Sequence, residues 1–207
     1  SVQLANCYWK LGSKQMALEL LNKNVVYYST IKLLADMGET ERAVQIAESA
    51  ARGDVPDVAY LHAGDACRID GQYERAIDYY EQVLDVKPEG KRAQGIQRNH
   101  QRARANIAAI KVFDTLDLSR VPDGVVRGST VAYAGDLHVQ VTIRGGRIED
   151  VKVTQHHEKQ TYTALTEVPR RIIERQGVQG VDATSGATIT SEAIINATAK
   201  ALASAVE

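Results

Sequence analysis

No apolar run in this chain reaches the about 18 residues that a membrane-crossing helix needs, so no such helix is encoded in it. Cysteine is scarce. Cys7 and Cys67 stand 60 residues apart with no CxxC pair and no Cys/His cluster, which argues against structural zinc and iron–sulfur sites. No metal ligands are assigned, and Cys7 is expected to be a buried helix cysteine. Neither sign of charge dominates: 25 Lys and Arg face 26 Asp and Glu, which speaks against an all-over basic nucleic-acid binder. A phosphate-binding GxxxxGK[ST] loop, a GxGxxG dinucleotide fingerprint and a GxSxG elbow are all absent. No nucleophile and base are paired either, so no catalytic residue is assigned and a hydrolase is excluded. With 44% hydrophobic and 25% charged residues, the chain has the composition of a folded protein. It starts SVQLANCYWK, without an initiator Met or a basic-then-apolar leader, and is expected to be a piece of a longer protein.

What is present changes along the chain. Seven of the nine tyrosines precede residue 81 and no proline occurs before Pro56, whereas 8 of the 15 glycines follow Pro122. A helical half followed by an α+β half is implied. In the first half Gly12, Gly38 and Gly71 each stand five residues before an alanine, Ala17, Ala43 and Ala76. The last two pairs keep a 33-residue offset, as do Tyr27 and Tyr60. The clearest unit is Tyr60, Ala63, Gly64, Cys67, Gly71, Tyr73, Ala76, Tyr80, Val83 and Pro88. Small residues let two antiparallel helices approach, large ones fill the gaps, and each turn glycine takes positive φ. This order resembles the tetratricopeptide repeat of about 34 residues. About three helical hairpins are expected, the first shortened. Such repeats commonly present a concave face to a protein or peptide partner; the alternative is a spacer for the second domain.

The stretch after Pro88 is locally basic through Lys91, Arg92, Arg98, Arg102 and Arg104. No aromatic residue precedes Phe113 there to stack bases, so it is expected to be a solvated helix face over Ile107, Ile110 and Val112 and to cap the repeats.

In the second half Val139, Val141 and Ile143 alternate with His138, Gln140 and Thr142, the pattern of a half-buried strand. Gly145-Gly146 predicts a tight hairpin turn towards Ile148, Val151 and Val153. Gly128 and Gly135 are expected to bound an earlier short strand, and Val168-Pro169 to open a helix. Ile194, Ala197, Thr198, Ala201 and Leu202 recur at helical spacing, so a helix is predicted from about Thr190, capped by Thr190 or Ser191. Before it lies Asp182-Ala183-Thr184-Ser185-Gly186-Ala187-Thr188, a small-residue loop suited to hold a phosphate at a helix start.

From Asp123-Gly124 and Gly128, through Tyr133-Ala134-Gly135 and the hairpin, to DATSGATITSEAI, the segment 122–204 resembles the FMN-binding domain family. Its familiar members carry flavin in the sodium-pumping NADH:quinone reductase and the Rnf complex. The resemblance implies FMN joined covalently to Thr188 by a phosphodiester, made by a flavin transferase that uses FAD and magnesium. It implies that Asp182 presents or activates Thr188 and that Ser185, Gly186 and Ala187 form the tight turn, with Thr184 beside it. Many relatives continue the hairpin with a His, then Glu-Thr and Pro-Gly. Here Glu158 is kept and the Pro-Gly is missing. His156 or His157 would tune the flavin ring or relay protons, or else form a solvated loop, and Tyr133 and Tyr162 would stack on the ring.

The expected architecture is multidomain: an all-α tetratricopeptide-like helical repeat at 1–88, a capping or linker helix at 89–120, and a small α+β FMN-binding domain with an antiparallel sheet at 121–207. The expected function is electron carriage by covalent FMN between redox partner proteins, with the repeats as a partner platform and no nucleic acid. The alternative is a repeat adaptor whose FMN domain binds flavin non-covalently or not at all. By resemblance the location is outside the cytoplasm, in the periplasm or at the cell surface, with membrane association through other parts of the chain.

Overall fold

The computed structural model describes residues 1–22, 28–113, 115–132, 135–157, 162–181 and 188–206, without the side chains of Tyr162 and Thr188. Its elements are α1 (Val2–Lys10), α2 (Lys14–Leu21), α3 (Tyr28–Asp36), α4 (Thr40–Ala51), α5 (Pro56–Ile69), α6 (Tyr73–Asp85), α7 (Ala93–Phe113), β1 (Gly124–Val131), β2 (Asp136–Arg144), β3 (Arg147–Gln155), α8 (Tyr162–Arg175) and α9 (Thr188–Ala203). Two compact units follow, Ser1–Ala103 and Arg104–Glu207, and the division falls within α7. The architecture is the expected helical repeat region followed by an α+β domain with a three-stranded antiparallel sheet.

The repeat is written into the backbone of the first unit. Gly12, Gly38 and Gly71 have φ of 84°, 76° and 77°, a conformation that favours glycine. After each, the next residue's N–H reaches back five positions: Ser13 to Tyr8, Glu39 to Leu34 and Gln72 to Cys67, at 2.8–2.9 Å. These are the bonds of a Schellman helix ending, present even in the shortened first hairpin. Between α5 and α6, Gly64 admits the ring of Tyr80. A Cβ at Gly64 would stand 2.5 Å from Tyr80 Cε1. Tyr80 is fully buried and its hydroxyl donates to Asp65 at 2.8 Å. Arg42 and Arg75, at equivalent repeat positions, each reach into the preceding hairpin, Arg42 to Asn22 and Arg75 to Glu41. Tyr27 lies outside the described residues, and Cys7, expected to be buried, is exposed because Ala5 takes the buried position on α1.

The basic stretch departs from a purely solvated face. Arg92 forks onto Asp57 at 2.8 and 3.1 Å, and Asn99 donates to the same carboxylate at 2.7 Å. Arg102, only 9% exposed, lies 3.8 Å from Asp65. Arg92 and Arg102 are thus spent on acids of α5, which a count of basic residues does not reveal.

In the second unit β2 is the centre of the sheet β1-β2-β3. Leu137, Val139, Val141 and Ile143 are buried, while His138, Gln140 and Thr142 on the other face are half-buried. The Gly145-Gly146 turn has φ of 57° and 70°, as a two-residue hairpin requires. Helix α9 lies over β1 and β2, and α8 over β3.

Three local expectations change. Gly128 is inside β1 rather than at its end, because α9 comes so close that a Cβ there would run into the Ala197 carbonyl and reach 2.9 Å from the Ala201 nitrogen. Pro169 is the eighth residue of α8 rather than its opening; the buried Val168 and Ile172 on either side carry the helix through. Helix α9 begins at Thr188, two residues before the expected Thr190, which is buried in its first turn.

Candidate functional site

The chemistry-bearing segments fall at two places in the second unit. The first is the start of α9. Thr188 opens the helix, and Thr190 and Ser191 in its first turn are 2% and 0% exposed. The first N–H groups of a helix have no partner within it and carry its positive end, while no acidic residue stands in this first turn. A phosphate fits that set of groups. The helix is firmly held, since every residue from Thr190 to Ala199 is buried. One anchor is polar: Asn196 donates to Asn106 of α7 at 2.6 Å.

The second place is the end of the sheet formed by the β1–β2 turn and the exit of β3. The turn is closed by Ala132 N–H donating to the Gly135 carbonyl at 2.8 Å. Gly135 has φ 147°, and a Cβ on it would stand 3.2 Å from Nδ1 of His157, 3.7 Å from Cγ and 3.9 Å from Cε1. The exposed imidazole therefore borders the space that a side chain on Gly135 would occupy, although 22 residues separate the two in sequence. Antiparallel pairing is what brings them together.

Among the residues singled out from sequence, His156 and His157 are described, and Thr188 and Tyr162 are described without their side chains. Tyr133, Glu158, Asp182, Thr184, Ser185, Gly186 and Ala187 lie outside the described residues, as does any junction of the Thr188 side chain with His157. Sequence reasoning missed Gln176. It follows α8 with φ 55°, and its amide accepts from Ile148 N–H at 2.8 Å and donates to the Ile148 carbonyl at 2.9 Å. Both outward pairing groups of the β3 start are thereby filled. Nothing local in the sequence marks this residue. Gly128 did carry a signal, since a lone glycine in a strand pattern indicates close backbone approach.

In the repeat region Tyr28 of α3 stacks on His62 of α5, with centroids 5.3 Å apart and planes inclined by 18°. Burial raises the Tyr28 phenol, and Arg92 opposes the rise. Tyr79 is pushed up to about 12, by burial first and then by its hydrogen bond to Glu48 at 2.5 Å. Cys67 is pushed up to about 11 by burial, an inert thiol rather than a nucleophile. Among the described residues no cluster of three His, Cys, Asp or Glu is placed to hold a metal, and no helix is long and apolar enough to cross a membrane.

Comparison with known proteins agrees with this layout. Residues 132–203 match the FMN-binding domain, and residues 58–89 match the tetratricopeptide repeat, in the expected order. The match begins at the β1–β2 turn and so leaves β1 outside it. An uncharacterized protein of Treponema pallidum (strain Nichols) is 41% identical over 86 residues, which are 41% of this chain. The chain spans 24% of that relative's length. No solved structure matches. The chain carries a repeat region followed by a flavin-binding domain, with FMN as the flavin.

Proposed function

We propose that the protein is an electron carrier whose FMN is attached covalently to Thr188, with the helical repeats as the platform for a protein partner. The observation that carries this reading is the FMN-binding match over 132–203, which contains Asp182-Ala183-Thr184-Ser185-Gly186-Ala187-Thr188 and runs into α9. Bound FMN supplies passage of one or two electrons. The chain's own part is to hold it. In loading, the bond from Thr188 Oγ1 to phosphorus forms and the pyrophosphate bond of FAD breaks. AMP leaves, and the hydroxyl proton goes to the flavin transferase. A threonine hydroxyl is a weak nucleophile unaided, which is why a separate transferase with FAD and magnesium is required. Asp182 presents Thr188, while Thr184, Ser185, Gly186 and Ala187 give the transferase access around the acceptor. The helix N–H groups then face the phosphodiester charge. Glu158 and Tyr133 enter this reading as ring contacts on the family resemblance alone. Such attachment takes place outside the cytoplasm, so the periplasm or cell surface is the working location, and a redox protein partner supplies or takes the electrons.

The test is intact mass after co-expression with a flavin transferase. Wild type is expected to be heavier by one FMN less one water, and Thr188→Val to stay unmodified. An unmodified wild type, with the transferase active on another acceptor, leaves non-covalent FMN or a repeat adaptor. Reversible reduction of bound flavin in the purified protein would count against the adaptor.

A further inference from the structure

The first helical hairpin carries an apolar face that the next two do not. Leu4, Leu11 and Met16 are 46%, 80% and 46% exposed, three of the four large hydrophobics left open among the described residues. Cys7 is exposed beside them. Leu4, Cys7 and Leu11 stand at i, i+3 and i+7, so they form one stripe along α1 and its C-terminal cap. A single exposed apolar side chain needs no explanation, but a stripe of them does.

Counting from the three turn glycines gives each of these residues its counterparts. Eight positions before the glycine stand Leu4, Thr30 and Ala63, and five before it stand Cys7, Leu33 and Ala66. Thr30, Leu33, Ala63 and Ala66 are at most 4% exposed. Leu11 answers to Met37, also 4% exposed, and to Asp70, a polar residue at the surface. Packing inside a hairpin is common to all three units, so it does not account for the difference. What α3 and α5 have, and α1 does not among the described residues, is a hairpin in front: α3 packs on α1, and α5 on α3 and α4. Four positions after the glycine the comparison repeats. Arg42 and Arg75 reach back from there to Asn22 and Glu41 of the preceding hairpin, and Met16 holds the same position. A thioether there calls for an apolar neighbour. The complementary face, which a hairpin turns to its successor, is already taken at the far end of the repeats. Arg92, with Asn99 and Arg102 of α7, occupies Asp57 and Asp65 of α5. A second copy of the chain therefore has no matching face to offer.

We propose that Leu4, Cys7, Leu11 and Met16 form a stacking surface whose occupant is a further helical hairpin of the same repeat kind, carried ahead of α1 by the same polypeptide. That hairpin turns an apolar stripe to Leu4, Cys7 and Leu11, and an apolar residue instead of an acid to Met16. Each unit of such a stack buries the face of its neighbour, so the platform is longer than three hairpins and α1 is an interior helix of it.

The test compares the 207-residue chain with the natural polypeptide translated from its full reading frame. Cys7 is the reporter, and the buried Cys67 is the internal control. In the 207-residue chain Cys7 is expected to react with a maleimide at the rate of an open thiol, whatever the protein concentration. In the full-length polypeptide that rate is expected to fall by about tenfold or more, because labelling then waits for a local opening. Leu4→Asp is expected to leave the unfolding midpoint of the 207-residue chain in place and to restore fast Cys7 labelling in the full-length polypeptide. Leu11→Gln, at the most exposed of these positions, gives the same comparison where Leu4→Asp fails to fold. Equal Cys7 rates in the two polypeptides overturn the inference, as does a reading frame with no helical hairpin ahead of Ser1. Labelling of the 207-residue chain that slows as concentration rises, with a dimer in sedimentation, also overturns it and assigns the face to a second copy.

Discussion

Two glycines, one in each unit, do the same thing to different neighbours. Gly64 makes room for the Tyr80 ring, whereas Gly128 makes room for the main chain of α9 at Ala197 and Ala201. A side chain can rotate or shift, although the buried Tyr80 ring would have to give by more than a few tenths of an ångström. A helix backbone, buried from Thr190 to Ala199 and packed on two strands, cannot. The repeat region is thus adjustable where its helices meet, as suits a stack that can tolerate variation from unit to unit. The flavin-binding unit is built around one fixed separation between β1 and α9, the helix that starts at Thr188.

The contrast can be broken most severely at Gly128. Gly128→Ala is expected to cost more than about 3 kcal/mol, beyond ordinary overpacking, because the obstacle is backbone. Urea unfolding with hydrogen exchange would show protection lost in β2 and α9. Equal protection in the variant would mean that the separation is not fixed.

Alkaline conditions should act on the other unit. Cys67 is raised from an ordinary 9.0 to about 11, and Tyr79 from 10.0 to about 12. Both neutral forms are favoured by folding, so their contribution is complete below about pH 9 and is lost as pH rises through 11 and 12. The unfolding midpoint of the helical region is expected to fall over that window while that of the flavin-binding unit holds. Simultaneous loss would remove the distinction.

Gln176→Ala removes an amide that serves both backbone groups of Ile148, at an expected cost of about 1–3 kcal/mol. Gln176→Gly separates the two contributions of the residue, since glycine tolerates the positive φ but brings no amide. If the alanine variant, which keeps the strained φ, is as stable as wild type, the amide contributes nothing.

Gly64→Ala is expected to have the smallest effect, about 1 kcal/mol. The Tyr80 ring must move and strains its bond to Asp65, but alanine returns up to about 1 kcal/mol of helix propensity. A loss as large as that at Gly128 would overturn the distinction between the two contacts.

Much of this fold is readable from local patterns, for local reasons. Glycine at 12, 38 and 71 announces positive φ, and strict alternation from Leu137 to Ile143 announces which face is buried. Asp182 to Thr188, by contrast, point to a flavin only through resemblance to a family, because small residues before a helix are a common pattern in sequence. The pairing of Arg92 with Asp57 was not legible: it joins residues 35 apart, and nothing in a basic run says which cation turns inward. Gly135 and His157 are equally remote in sequence. Only the pairing of β2 with β3 fixes that they meet, and each alone reads as an ordinary loop residue. The proline of α8 misled for a different reason, since it favours the first turn statistically while the buried residues around it extend the helix.

The amide of Gln176 also bears on how the protein behaves in company. An open strand edge is a template on which another chain can zip, and the start of β3 would offer such a template during folding or at high concentration. With both groups of Ile148 already taken by a side chain of the same molecule, the edge at that residue is closed to a neighbour. One glutamine after a helix thus acts as a guard against association, and variants lacking it should be watched for insolubility before they are judged on stability.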